Sequence, residues 1–207
     1  MSVLGKLASA LGRNDEQPNI ELAEALAAKP DAAAVAELAV ALATGSTATS
    51  NDAIKVLYEL GERQPELVAP HAKAFLTLLG GKNNRNVWGA LQAIETITAL
   101  QPEAVLAELP RIIAAADKGS VIAKDKAVAI LIKLAAAGHG AKALPILLER
   151  LEGAAPNQFP MYAEQALPVI DAAHRAAFVR LLEARLGGIE ASAKRTRVEK
   201  VLRRARG

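Results

Sequence analysis

Apolar residues recur along the chain at spacings of three and four, in blocks that repeat. Phe75, Leu76 and Leu79, then Ile112, Ile113 and Ala116, then Leu147, Leu148 and Leu151 hold similar places in successive blocks. Such spacing lays a wide apolar stripe along one side of a helix. A second series, Ala53, Ile54, Leu57 and Leu60, is carried by an offset of 37 onto Ala90, Leu91, Ile94 and Ile97, and by a second such step onto Ala127, Val128, Leu131 and Leu134. The same offset takes Gln64-Pro65-Glu66 to Gln101-Pro102-Glu103. Self-similarity at this period marks a stacked helical-repeat array, in which each unit covers its stripe only against its neighbours.

Punctuation places the predicted helices. Residues 2–11 read as a short helix and Arg13 to Pro18 as a polar loop. Helices follow over 19–28 and 31–43, parted by Lys29-Pro30, with Asp31 as the N-cap of the second. Thr44 to Ser50 reads as a loop. Pairs then span 51–63 and 65–79, 85–100 and 102–116, 121–137 and 141–151, 159–172 and 174–186, before a last helix over 190–205. Pro65 and Pro102 fall in first turns, where a missing N–H costs nothing. Gly80-Gly81-Lys82-Asn83 and Asp117-Lys118-Gly119 read as turns, Gly138 and Gly140 as a break. Pro168 falls within a helical stretch that it should kink or interrupt.

Composition supports helices. The chain is 52% hydrophobic but only 3% aromatic, and its Ala and Leu enter helices readily, whereas strands favour β-branched and aromatic residues. There is no cysteine, which excludes disulfides, thiolate metal sites and cysteine nucleophiles. The N-terminus lacks the continuous apolar core of a signal peptide, and no uninterrupted run approaches the ~18 residues of a membrane span. A cytoplasmic protein is expected. The net charge of +3 is unevenly spread: residues 189–207 hold seven Lys/Arg and two Glu, while the rest holds 18 basic and 20 acidic groups.

Leu109-Pro110-Arg111-Ile112-Ile113, the turn Asp117-Lys118-Gly119, and then Ala127, Leu131 and Leu134 resemble the HEAT-repeat consensus. That consensus is an apolar-proline first helix, an acidic or amide turn, and Val-Arg-x-x-Ala opening a second helix. Ala69-Pro70 through Leu79, Asn84 and Val87-Trp88-Gly89-Ala90 are similar to it, with Trp88 where the family usually has arginine. The resemblance covers roughly residues 50–186. It implies an all-α fold, a right-handed α-α superhelix of the HEAT/armadillo-like solenoid kind, with four to five helix pairs and terminal caps. The chain is then one helical-repeat domain over 1–207: degenerate capping helices in 1–48, repeats in 49–188 and a basic C-terminal helix in 189–207. In the family's register the second helix of each pair lines the concave side, where such arrays grip partners. Arrays of this type share no common activity.

No catalytic set emerges from the residues. His71, His139 and His174 match no metal-ligand spacing. Gly80-Gly81-Lys82 lacks the spacer and the Ser/Thr of a phosphate loop. The HEAT-like alkylpurine DNA glycosylases use Trp, Asp and Arg on a concave surface, and the 37-residue offset sets Trp88 level with Asp125, a different spacing. The expectation is a scaffold or adaptor without enzymatic activity, cofactor or metal, binding a protein through Trp88, Gln92, Glu95, Lys124, Asp125 and Tyr162 on second helices. The alternative is nucleic-acid binding, because Arg85, Lys126, Lys194, Arg195, Arg197, Arg203 and Arg204 offer cations for phosphates. Val198, Val201, Leu202 and Ala205 give the last helix one apolar face.

Overall fold

The computed structural model describes residues 2–190 and 192–207; Ala191, within the helix expected over 190–205, lies outside the described residues, as does Met1. The protein is all-α, with no strand among the described residues. Its helices are α1 (Gln17–Ala28), α2 (Ala32–Thr44), α3 (Thr47–Arg63), α4 (Pro65–Val68), α5 (Ala72–Leu78), α6 (Asn84–Ile97), α7 (Pro102–Ala107), α8 (Leu109–Asp117), α9 (Val121–Leu134), α10 (Gly140–Glu152), α11 (Phe159–Ala166), α12 (Ala172–Leu186) and α13 (Ser192–Arg206).

Side-chain caps decide several starts. Asp31 Oδ1 accepts from the Ala34 N–H at 3.0 Å at the head of α2, as its position predicts. Ser46 Oγ accepts from the Thr49 N–H at 3.2 Å, so α3 begins at Thr47 and takes up most of the loop expected over Thr44 to Ser50. Such caps contribute typically ~1 kcal/mol by satisfying an otherwise orphaned donor. Asn83 caps α6, accepting from the Arg85 N–H at 3.1 Å.

Proline breaks what periodicity reads as continuous. The expected helix over 65–79 divides into α4, a 3₁₀ turn at Ala69–His71 containing Pro70, and α5. The expected helix over 102–116 divides at Glu108, two residues before Pro110. In each case the ring removes a donor and crowds the carbonyl four residues back. Pro168 acts as predicted: α11 stops at Ala166 and a 3₁₀ turn covers Leu167–Val169. The expected helix over 2–11 is instead a 3₁₀ turn at Val3–Lys6 followed by turns as far as Gly12, whose φ is +68°. After α9 a π-type turn spans Ala135–His139 around Gly138, whose φ of +94° suits glycine. Within Val121–Glu152 a window of 18 residues has the mean hydropathy (1.4) of a membrane-spanning helix, but the turn at Ala135–His139 interrupts the stretch.

Contacts gather into two compact units, Met1–Ala127 and Val128–Gly207. In the first, α3 packs on α1, α2 and α6, and α5 packs on α6 and α2. Leu57, Leu60, Phe75, Leu91, Ile94 and Ile112 are fully buried there, each such side chain contributing roughly 1.5–3 kcal/mol. In the second, α10 packs on α11 and α12, and α13 on both α11 and α12. Its core includes Leu147, Phe159, Phe178 and Leu182. Val198, Val201, Leu202 and Ala205 are all buried, so the apolar face predicted for the last helix is the face that packs.

A buried polar network ties the first unit together. Asp52 Oδ1 accepts from Asn19 Nδ2 at 2.8 Å, and Oδ2 from the Ser9 N–H at 2.7 Å. Asn86 Nδ2 donates to Ser50 Oγ at 2.7 Å, and that hydroxyl donates to the Leu42 carbonyl at 3.0 Å.

Candidate binding face around Trp88

The helices α1, α3 and α6, adjacent in the first unit, bring a group of aromatic and charged side chains together. Trp88 on α6 meets Tyr58 on α3 edge to face, with ring centroids 5.6 Å apart and planes at 84°. That geometry sets a positive ring edge on a negative ring face and contributes ~0.5–1.5 kcal/mol beyond area burial. Lys55 Nζ lies 4.8 Å from the Tyr58 ring centroid, 2.7 Å from Glu59 and 3.1 Å from Glu16. Burial pushes the Lys55 ammonium down, but hydrogen bonds with Glu59, Tyr58 and Glu16 outweigh it and hold the proton more firmly than usual. Burial also raises the Tyr58 phenol. It pushes Glu59 up as well, yet the hydrogen bonds from Lys55 and Arg63 hold that carboxyl below the ordinary glutamate value. On α9, Lys126 pairs with Glu95 at 3.3 Å.

The indole also lines a cavity of about 400 Å³, formed with Leu79, Val87, Leu91, Ala115 and Ala123 and closed at its ends by the turns at Gly80-Gly81 and Lys118-Gly119-Ser120. Gly119 is required at this turn, because a Cβ there would lie 2.6 Å from the Ala123 Cβ. Val121 and Ile122, next along the chain, are 51% and 47% exposed. The indole, Leu79, Val87 and Leu91 give the cavity apolar surface, and Asn84, Lys118 and Ser120 add polar groups to its lining.

The structure sorts the predicted contact residues. Trp88 is half-buried and lines the cavity. Gln92 is only 7% exposed, with no hydrogen-bond partner for its Nε2. Glu95 is held by Lys126; Lys124 is exposed and Asp125 half-buried. Tyr162 belongs to the second unit and is 4% exposed. Burial leaves Gln92 and Tyr162 little surface for a partner. The helical phase that places them on second helices also turns them inward.

Of the predicted phosphate contacts, Arg85 pairs with Glu16 and Lys126 with Glu95. Arg195 pairs with Glu199 at 3.2 Å, Arg197 holds Glu164 with two nitrogens at 2.9 and 2.5 Å, and Lys194 donates to Asn157. The Arg197 hydrogen bond keeps the Glu164 carboxyl below its ordinary value. Arg203 and Arg204 are exposed. Sequence reasoning missed Tyr58 beside Trp88, Lys55 against the Tyr58 ring, and Glu16 and Glu59 around that lysine. The offset of 37 aligns Trp88 with Asn51, and the aromatic partner lies on a diagonal that the repeat does not mark.

With this geometry the chain stands as an all-α protein. Crystal structures of two engineered proteins, both structural-genomics targets of the Northeast consortium, are similar to it. One has a TM-score of 0.62 at 18% identity, over 100% of this chain and 97% of its own. The other has a TM-score of 0.65 at 17% identity, over 99% of each chain. Likeness at such low identity is a likeness of fold alone. No family profile matches the chain, and no curated protein matches it in sequence.

Proposed function

We propose that the protein is a non-enzymatic, cytoplasmic scaffold or adaptor, a right-handed HEAT-like superhelix that binds a protein partner through the face carrying Trp88. The observation that carries this reading is the cavity of about 400 Å³ walled by Trp88, with Val121 and Ile122 exposed on the chain between its lining residues Ser120 and Ala123. Contiguous exposed apolar surface beside an aromatic anchor is characteristic of protein contact sites. Support for the repeat register comes from the order of packing in the first unit, α1 on α3 and α3 on α6. Protein binding is preferred to nucleic-acid binding because Arg85, Lys126, Arg195 and Arg197 are each engaged by a carboxylate.

The test is affinity capture with the wild-type chain, identification of the bound protein, and titration of that protein against Trp88→Ala and the double variant Val121→Ser/Ile122→Ser. Loss of a central aromatic anchor commonly costs ~2 kcal/mol or more, about thirtyfold in affinity. A partner that binds all variants equally tightly excludes this face.

A further inference from the structure

The last helix separates its cations into two groups. Arg195, Arg197 and Arg206 are engaged by Glu199, Glu164 and Glu183, and Lys194 by Asn157. Arg204 has no hydrogen-bond or ion-pair partner among the described residues, and neither has Arg175 on α12. These two line the same cavity in the second unit, a space of about 190 Å³ floored by Leu167, Pro168, Ile170 and Ala205. That is more than ten times the roughly 10–15 Å³ that one water needs. Two guanidiniums bordering one cavity with no carboxylate in its lining repel each other, whereas four of the other six cations of this helix, Lys194, Arg195, Arg197 and Arg206, have a partner. An anion relieves that repulsion and uses the fork of donors that each guanidinium presents.

We infer that Arg175 and Arg204 form a binding site for a phosphate monoester whose organic group rests on the apolar floor. A phosphate monoester carries about −1.5 to −2 charges near neutral pH, matching two guanidiniums where a carboxylate matches one. Most of the lining surface is polar, so the phosphate makes the principal contact, and the leucine, proline, isoleucine and alanine leave room for a small substituent beside it. The site is independent of the Trp88 face and involves different residues.

Calorimetric titration of the full chain with phenyl phosphate, inorganic phosphate and benzoate, at constant ionic strength set with sodium chloride, tests this. Phenyl phosphate is expected to bind saturably and more tightly than either of the others. Arg175→Gln and Arg204→Gln are each expected to weaken it about tenfold or more, tenfold being ~1.4 kcal/mol. Arg203→Gln, on the same helix but outside the cavity lining, should stay within about twofold, since an exposed charge away from the site adds little. Circular dichroism checks that each variant is folded. No saturable binding to the wild type would overturn the site, as would an equal loss in Arg203→Gln, which signals diffuse cationic attraction. Benzoate binding as tightly as phenyl phosphate would overturn the assignment to phosphate.

Discussion

Asn19 on α1 donates its Nδ2 to Asp52 Oδ1 on α3 at 2.8 Å, and the pair is closed to solvent. The same carboxylate accepts from the Ser9 N–H at 2.7 Å, while Asn19 Oδ1 accepts from the Ala8 N–H at 3.0 Å. Two side chains 33 positions apart therefore hold the N-terminal turns onto the helical body. A carboxylate this buried persists because its oxygens are hydrogen-bonded. Asp52→Ala strands the Asn19 amide and the Ser9 N–H, and is expected to destabilise the protein by about 2–4 kcal/mol. Urea unfolding measures this, and amide exchange at Ala8 and Ser9 should quicken. Unchanged stability would mean that the network does not hold the turns.

Much of this fold is legible in the sequence, and what is not has identifiable physical causes. Apolar positions such as Ile54, Leu57, Leu91 and Ile94 are buried as their spacing predicts, because burial of a stripe depends only on helical phase. The splits at Pro70 and Pro110 follow from a local rule applied too weakly, since a strong apolar period masks the missing donor. The contact of Asn19 with Asp52 and that of Tyr58 with Trp88 are different. Both depend on how neighbouring helices lean against each other, and neither pair is separated by the repeat of 37. Inward rotation of Gln92 and Tyr162 likewise depends on a few tens of degrees of helix phase that a pattern of apolar residues does not fix.

Glycine positions in α3 and α6 set the closeness of these helices to their neighbours. A Cβ at Gly89 would lie 2.7 Å from Ile54 Cγ1, and one at Gly61 would lie 2.4 Å from Thr96 Oγ1. Alanine gains up to ~1 kcal/mol in helix propensity, but overpacking typically costs ~1–3 kcal/mol. Gly89→Ala is therefore expected to lower stability by up to about 2 kcal/mol, as the net of those two effects. By contrast, Gly187→Ala meets nothing within 4 Å at a φ of −63°, and should be neutral or stabilising by up to ~1 kcal/mol. Thermal unfolding of the two variants compares them directly; a stabilised Gly89→Ala would show that α3 and α6 can move apart freely.

The depressed Glu59 carboxyl makes a pH-dependent contribution. Its folded value lies below the ordinary 4.5, so the stabilisation is fully present above that value and is lost as pH falls through the folded one. Glu59→Gln removes a partner from Lys55, whose side chain is only 9% exposed. It should cost about 2 kcal/mol at pH 7, less than a fully buried pair because Glu16 remains beside the ammonium. The difference from wild type should shrink towards zero as pH falls well below 4.5, where the wild-type carboxyl is also neutral. Urea midpoints from pH 7 to pH 3 follow this, and a gap that stayed constant would assign the effect to packing alone.

Whether α13 serves the second unit through its apolar face or through its charge can be decided by paired substitutions. Val198 is wholly buried where α13 packs on α11 and α12, and removing its two methyl groups as Val198→Ala should cost about 1–3 kcal/mol in transfer and cavity energy. Val198→Asp, which places an unpartnered charge in that contact, should detach the helix, leaving Phe178 and Leu182 without part of their cover. Arg195→Ala breaks an exposed pair with Glu199 and should change stability by less than about 0.5 kcal/mol. Amide exchange across 192–206 distinguishes the outcomes: rapid exchange in Val198→Asp with native rates in Arg195→Ala is expected. Loss of protection in Arg195→Ala of the same size would make charge, not packing, the force that holds the helix. The cations of α13 would then be committed to the fold and withdrawn from any ligand.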